Sequence, residues 1–553
     1  MSSAAAGWLQ LALLVAALAA CYIPVGNYMA HIFTTGKHWR VERGIYKLIG
    51  IDPSADQKWS SYLRSMLAFS AVSVVFLFGF ERLQHHLLLS LGMANVPPAL
   101  AWNTAASFVT NTNWQNYSGE STMGYLVQMA GLAVQNFLSA GVGIVVAIAL
   151  VRGFIRSRTD KLGNFWVDLT RITIRYLIPL AIVGGLILMA SGVIDNFSSY
   201  HTVTTVSGAH QTIVGGPVAS QEVIKDAGNN GGGFFNANSS HPFESPNPFT
   251  NWFEIFLLLL TAFALPRTFG RMVKDNRQGY ALLAVMVVIW LAAVGGISFF
   301  EAQHAGIAPQ LAHGAMEGKN VAFGTPGSSL FAASTTVTST GSVNSFHDSF
   351  TAFGGGIALF DIALGEIAPG GVGAGLYGIL VLAMVTVFVA GLMVGRTPEY
   401  VGKKIRPAEM KYAALYFLTI PTITLAAAGL SIALKTPQAS ILNPGPHGLT
   451  EIMYAFASQA NNNGSAFAGL TTNTPWYNTL GGIVMLLGRF APEIFALGLA
   501  GSLARQQPVP ASAGTLDTRT PLFVGMLVGV ILILVGLTYF PPLALGPFAE
   551  GLH

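Results

Sequence analysis

Four short polar stretches of this chain have the residue types to hold an ion. They read Thr110-Asn111-Thr112-Asn113-Trp114-Gln115, Gly228-Asn229-Asn230-Gly231-Gly232-Gly233-Phe234, Thr340-Gly341-Ser342-Val343-Asn344 and Asn461-Asn462-Asn463-Gly464-Ser465, and none carries a charge. Glycine leaves its carbonyl oxygen unshielded and accepts backbone angles closed to other residues. Backbone carbonyls grouped in this way replace the water of a weakly hydrated monovalent cation, whereas a Ca²⁺ or Mg²⁺ site normally supplies carboxylates. The residue types alone do not choose potassium over sodium. A phosphate-binding loop is the rival reading of the glycine run, but no GxxxxGK[ST] occurs, and no GxGxxG joins an expected strand to a helix. A lone glycine triplet would also suit a plain flexible loop; the recurrence of four polar turns favours an ion filter.

Each stretch follows a moderately apolar segment too short to cross a membrane: Pro98 to Val109, Val218 to Ala227, Ser329 to Ser339 and Leu449 to Ala460. A short helix that stops midway through the membrane points the negative end of its macrodipole at the turn. Four such ends meeting on one axis favour a cation there without any formal charge. Irregular backbone at that depth is tolerated only where protein buries it or it lines a watery path.

The rest of the chain is built to place these turns. Of 553 residues, 52% are apolar and only 9% charged, against about 25% charged in soluble domains. The expected class is an all-α polytopic membrane protein. Ten segments reach the ~20 residues that a spanning helix needs: Trp8 to Met29, Tyr62 to Phe80, Gly124 to Val151, Ile172 to Ile194, Trp252 to Thr268, Tyr280 to Phe300, Val372 to Val394, Tyr412 to Leu434, Tyr477 to Leu503 and Pro521 to Phe540. The fifth is short and carries Glu254 near its start. Lys and Arg gather in or beside the odd-numbered connections, 23 of the 28 in the chain. The positive-inside rule then puts those connections in the cytoplasm and both termini outside. For the same reason the net charge of +4 calls for no nucleic-acid partner. Leu18-Ala19-Ala20-Cys21 looks like a lipoprotein cleavage site, but Met1 to Gly7 holds no Lys or Arg, so a retained first helix is expected. The single cysteine excludes an internal disulfide framework.

The polar turns recur at intervals of about 110 to 120 residues, which makes the chain a fourfold hydropathy repeat. Four helix–pore loop–helix repeats (62–171, 172–278, 279–411 and 412–505) are expected, with one further helix in each flank (1–61 and 506–553).

The stretches 110–115, 228–238 (GNNGGGFFNAN, followed by His241-Pro242-Phe243-Glu244) and 461–469 resemble the A subunit of the bacterial Kdp potassium-transporting ATPase, as does Gly395-Arg396-Thr397-Pro398-Glu399-Tyr400-Val401-Gly402-Lys403-Lys404. The likeness runs over essentially the full length. It implies membership of the superfamily of potassium transporters and a filter lined by Thr112, Asn113, Asn230, Gly231, Gly232, Thr340, Gly341, Asn463 and Gly464, with potassium as the bound ion. In this alignment Asn113 holds the place of Gly232, Gly341 and Gly464. The resemblance also implies a separate P-type ATPase subunit (KdpB) that hydrolyses ATP, a single-span subunit (KdpC), often a small peptide (KdpF), and residence in the bacterial inner membrane. No DKTGT phosphorylation motif occurs here, so no catalytic residue and no bound nucleotide are expected. Gln115, just below the first turn, resembles a residue linking the filter to the onward path; a satisfied polar group in the pore wall is an equal reading.

Other residues bear on the path. Arg489, mid-span, is either paired structurally or set as a fixed charge beneath the filter that limits passage. Gly370 to Gly375 serves close helix packing or a gating loop. The Arg396 to Arg406 loop is a solvated basic cluster or a docking surface for the ATPase subunit, and Asp361 and Glu366 are expected at the outer surface. The principal alternative function is a stand-alone channel or cation symporter of the same superfamily. A membrane enzyme is disfavoured, because the 12 histidines form no HExxH pair.

Overall fold

The computed structural model describes residues 3–303, 310–311, 314–365, 367–393, 395, 398–510 and 515–552. Glu366 and Arg396 lie outside them. Among the described residues ten helices are long and apolar enough to cross a membrane: Ala5–Thr34, Trp59–Arg82, Val127–Ile155, Phe165–Ala190, Pro248–Met272, Asn276–Glu301, Ala374–Met393, Pro407–Ala433, Pro475–Arg505 and Pro521–Leu552. They fall on the ten expected segments. The fifth departs from expectation: it has 25 residues, and Glu254 lies nearly two turns inside it, wholly buried. It runs past the expected segment at both ends, and its start is set by a cap that hydropathy does not register. Asn247 Oδ1 accepts from the backbone N–H groups of Phe249 and Thr250 at 3.0 and 3.1 Å, and Pro248 opens the first turn.

Four short helices, Pro98–Val109, Val218–Ala227, Gly324–Val337 and Pro446–Ala460, each end where a polar turn begins. The first two have the expected limits. The third and fourth start earlier, the fourth at a proline whose fixed φ suits a first helical position. We call these the pore helices. The spans that follow them, third, fifth, seventh and ninth, form an inner ring in which 61–83% of the most apolar window is buried, against 17–44% for the other six. The remaining spans face outward, as a membrane requires of helices apolar on all sides.

Three departures matter. The span after the third pore helix is broken, with Ala352–Ala363 and Ala374–Met393 separated by a stretch whose described residues, 364–365 and 367–373, lie outside any helix and include Gly370, Gly371 and Gly373. Asp361 therefore sits within a buried helix and is 4% exposed, not at the outer surface, and its carboxylate accepts from the Thr336 hydroxyl at 3.2 Å. An acid inside an apolar run reads as a connection, which is why the short helix escaped notice. An exposed hairpin, His201–Thr204 paired with His210–Ile213, precedes the second pore helix; with two shorter antiparallel pairs, Gln57–Lys58 with Lys161–Gly163 and Glu399–Tyr400 with Lys403–Lys404, it adds a little strand to the mostly helical fold.

Candidate ion-binding site

Each polar turn is held by the same backbone bond to its pore helix. Thr112 N–H donates to Ser107 O at 3.0 Å, Asn230 to Lys225 O at 2.9 Å, Thr340 to Thr335 O at 3.1 Å and Asn463 to Ser458 O at 2.8 Å. The residue before each of these, Asn111, Asn229, Ser339 and Asn462, is left-handed, with φ between +50° and +68°. Asparagine tolerates this region better than most residues, and here it lets the chain reverse at the end of a helix.

This pattern corrects the register of the second turn. Thr112, Asn230, Thr340 and Asn463 are equivalent, so Asn113 corresponds to Gly231, not Gly232, in company with Gly341 and Gly464. Asn113, Gly341 and Gly464 have φ of +56°, +86° and +94°, whereas Gly231 stays outside the left-handed region. Fourfold symmetry is approximate in backbone as well as in sequence.

The four turns meet closely. A Cβ on Gly464 would lie 1.8 Å from Thr112 O, one on Gly341 2.1 Å from Asn463 O, and one on Gly232 2.4 Å from Asn113 O. Side-chain amides close the ring. Asn111 Nδ2 donates to Gly228 O and Asn229 O at 3.1 and 2.8 Å, and Asn230 Nδ2 to Asn111 Oδ1 at 2.7 Å. Asn229 Nδ2 reaches Thr340 Oγ1 at 2.8 Å, Asn463 Nδ2 reaches Thr335 O at 2.9 Å, and Asn462 Nδ2 reaches Thr112 Oγ1 at 2.9 Å. Turn one is thus bonded to two, two to three, and four both to the end of the third pore helix and back to one. The asparagine amides bind the ring together, and Asn111, Asn229, Ser339 and Asn462 belong to the site although sequence did not single them out.

What remains unsatisfied is the backbone. Thr112, Asn230, Thr340 and Asn463 have no exposed surface, and among the described residues their carbonyl oxygens accept no hydrogen bond. Buried carbonyls normally find partners. Four equivalent ones without donors, behind four helix C-termini, make a place for a cation.

Gln115 follows the first turn and bonds the end of the second: its Oε1 accepts from Gly233 N–H and its Nε2 donates to Gly233 O, each at 3.1 Å. Arg489 lies one helical turn beyond Met485, whose carbonyl accepts from Asn462 Nδ2 at 3.1 Å. It pairs with Glu493 at 2.9 Å and donates to Ser139 O at 3.2 Å. The glycine loop passes beside it. Gly370 N–H donates to Val337 O at 2.8 Å, at the end of the third pore helix, and a Cβ on Gly373 would lie 2.1 Å from Gly143 O, on the third span. A Cβ on Gly143 would in turn meet Val372 O at 2.5 Å and Arg489 Nη2 at 2.6 Å. Loop, third span and Arg489 are therefore packed together on the side of the turns away from the pore-helix N-termini.

A family model described as Potassium-transporting ATPase A subunit matches residues 12–552. Proteins named potassium-transporting ATPase potassium-binding subunit, from Streptomyces avermitilis and Mycolicibacterium smegmatis, are each 60% identical to this chain over 100% of both sequences. The crystal structure of the potassium transporter TrkH from Vibrio parahaemolyticus has a TM-score of 0.53 at 16% identity, covering 80% of this chain and 84% of that one, and so shares its fold. With a full-length family match and relatives identical at six positions in ten, the chain belongs to the family of potassium-transporting ATPase A subunits.

Proposed function

We propose that this chain is the potassium-binding, channel-like subunit of an ATP-driven potassium uptake pump in a bacterial inner membrane. The observation that carries this reading is the ring of four equivalent buried carbonyls that lack hydrogen-bond donors. Potassium enters from the face bearing the pore-helix N-termini, exchanges its water for carbonyls of Thr112, Asn230, Thr340 and Asn463, and is handed to a separate ATP-hydrolysing subunit. The repeats 62–171, 172–278, 279–411 and 412–505 supply the four quarters, and the basic connections face the cytoplasm. The asparagine amides hold the ring at one size. A fixed cavity with fixed dipoles selects among monovalent ions by how well it repays their lost water.

In this reading the glycine loop and the Arg489–Glu493 pair, packed beside the third span, close the straight way through the membrane. A channel-like entrance with an obstructed exit suits a subunit that passes its ion sideways to a partner, since a free pore would short-circuit the pump.

The test is potassium-stimulated ATP hydrolysis by the complex purified from native membranes through a tag on this chain. Hydrolysis that rises with potassium and copurifies with a larger DKTGT-bearing subunit supports the pump. A chain that purifies alone and passes potassium in vesicles without ATP moves the function to a stand-alone channel or symporter.

A further inference from the structure

The second turn differs from the other three in what stands behind it. At the helix position whose carbonyl holds each turn, repeats one, three and four carry the hydroxyl residues Ser107, Thr335 and Ser458, and repeat two carries Lys225. Lys225 is wholly buried, with its ammonium 2.6 Å from Glu222 Oε2, 3.2 Å from Glu244 Oε2, 2.9 Å from Asn238 Oδ1 and 3.1 Å from Ser239 Oγ. One carboxylate oxygen from each of Glu222, Asp226 and Glu254 lies within 4.8 Å of the other two, and all three residues are buried. With Glu244, four carboxylates face a single ammonium.

A second observation is independent of this clustering. Neither oxygen of Asp226 and neither oxygen of Glu254 accepts a hydrogen bond, although both residues have no exposed surface. The hydroxyls beside them, of Ser342 and Ser245, are bonded to Asn238 Oδ1 and Thr250 Oγ1, each at 3.1 Å. Lys225 is engaged by Glu222 and Glu244. An ionised buried carboxylate without a donor is strongly unfavourable, so each of these two acids needs either a proton or a cation beyond Lys225. The donors are all hard carboxylate oxygens, the kind that Ca²⁺ takes.

We propose that Glu222, Asp226 and Glu254 form a buried divalent-cation site of the Ca²⁺ class behind the second turn, separate from the potassium ring. The site also reaches the ring. Asn238, which accepts from Lys225, donates through Nδ2 to Gly231 O at 2.9 Å, so an ion balancing the acids fixes Lys225 and, through Asn238, the second quarter of the ring.

The experiment counts calcium on the complex purified through this chain, stripped with EGTA and equilibrated with ⁴⁵Ca²⁺ in potassium-free buffer, so that its outcome is separate from that of the potassium reading. The parent is compared with Glu254→Gln and Asp226→Asn, and any metal held by a partner subunit cancels in the difference. The expected result is one Ca²⁺ per chain more in the parent than in either variant, or affinity at least tenfold weaker in both, and a melting temperature that rises with Ca²⁺ only in the parent. Competition by Mg²⁺ at similar concentration assigns the site to the smaller ion within the same class. Equal calcium in all three proteins, including none, overturns the proposal and leaves the acids holding protons. Should one variant fail to fold, the other decides, and a parent whose melting temperature ignores saturating Ca²⁺ also overturns it.

Discussion

Replacing Gly464 by alanine strikes the ring where it is tightest. Gly464 holds φ at +94°, and a Cβ there would stand 1.8 Å from Thr112 O and 2.9 Å from its carbonyl carbon. Close carbon–oxygen contacts run to about 3.3 Å, so one of the two must move by roughly 1.5 Å. The obstacle is backbone, with no flexible side chain to yield, and a left-handed conformation adds about 1–2 kcal/mol for any residue with a Cβ. The Thr112 carbonyl is one of the four proposed ligands. If its contact with the ion is comparable to a hydrogen bond to a charged group, about 1.5–3 kcal/mol, its loss weakens potassium binding by roughly 10- to 150-fold. The assay is the potassium concentration that half-saturates ATP hydrolysis by the purified complex. Gly525→Ala is the control, since a Cβ there meets nothing within 4 Å. A folded Gly464→Ala protein with the parent's half-saturation refutes the assignment of the Thr112 carbonyl as a ligand.

Asn462→Ala severs the fourth turn from Thr112 Oγ1 and from Met485 O; it should loosen the ring and cut discrimination against sodium several-fold, read as sodium stimulation of ATP hydrolysis. Arg489→Gln leaves Glu493 buried without its partner, a loss of about 3–5 kcal/mol, and should raise ATP-independent ⁸⁶Rb⁺ flux in vesicles; adding Glu493→Gln should restore thermal stability but not tightness, and unchanged flux in both would remove Arg489 from the path. At the pore-helix face His447 bridges Asp348 and Glu550 at 2.9 Å each, and the hydrogen bond to Asp348 is the largest cause that raises its pKa to about 9. Because the folded pKa lies above the unfolded value of about 6.5, the bridge stabilises fully below pH 6.5 and is lost as pH rises through 9. Allowing for partial exposure, about 1–2 kcal/mol should disappear between pH 7 and 10, seen as a falling melting temperature that His447→Ala abolishes.

The spans and the first two pore helices were legible because hydropathy and helix starts are local. Pro98 opens one pore helix and the Gly228 run closes another, and neither depends on distant residues. The register of the second turn was not legible, because Gly231, Gly232 and Gly233 are chemically identical and only the bond from Asn230 to Lys225 O tells them apart. The amide belt was hidden for another reason. Asn229 and Thr340 are 111 positions apart, and Asn462 and Thr112 are 350 apart, so no pattern along the chain connects them. Asp361 was misplaced because a single acid is ordinarily a surface mark, and its burial depends on a helix too short to be read as a span.

A filter assembled from four copies of one subunit must change all its quarters whenever one codon changes. In the filter proposed for this chain Ser107, Lys225, Thr335 and Ser458 occupy the same place in four quarters of a single chain, so each can mutate alone. Selection can tune such a filter in quarter steps, keeping three sides as a rigid gauge while the fourth is adapted.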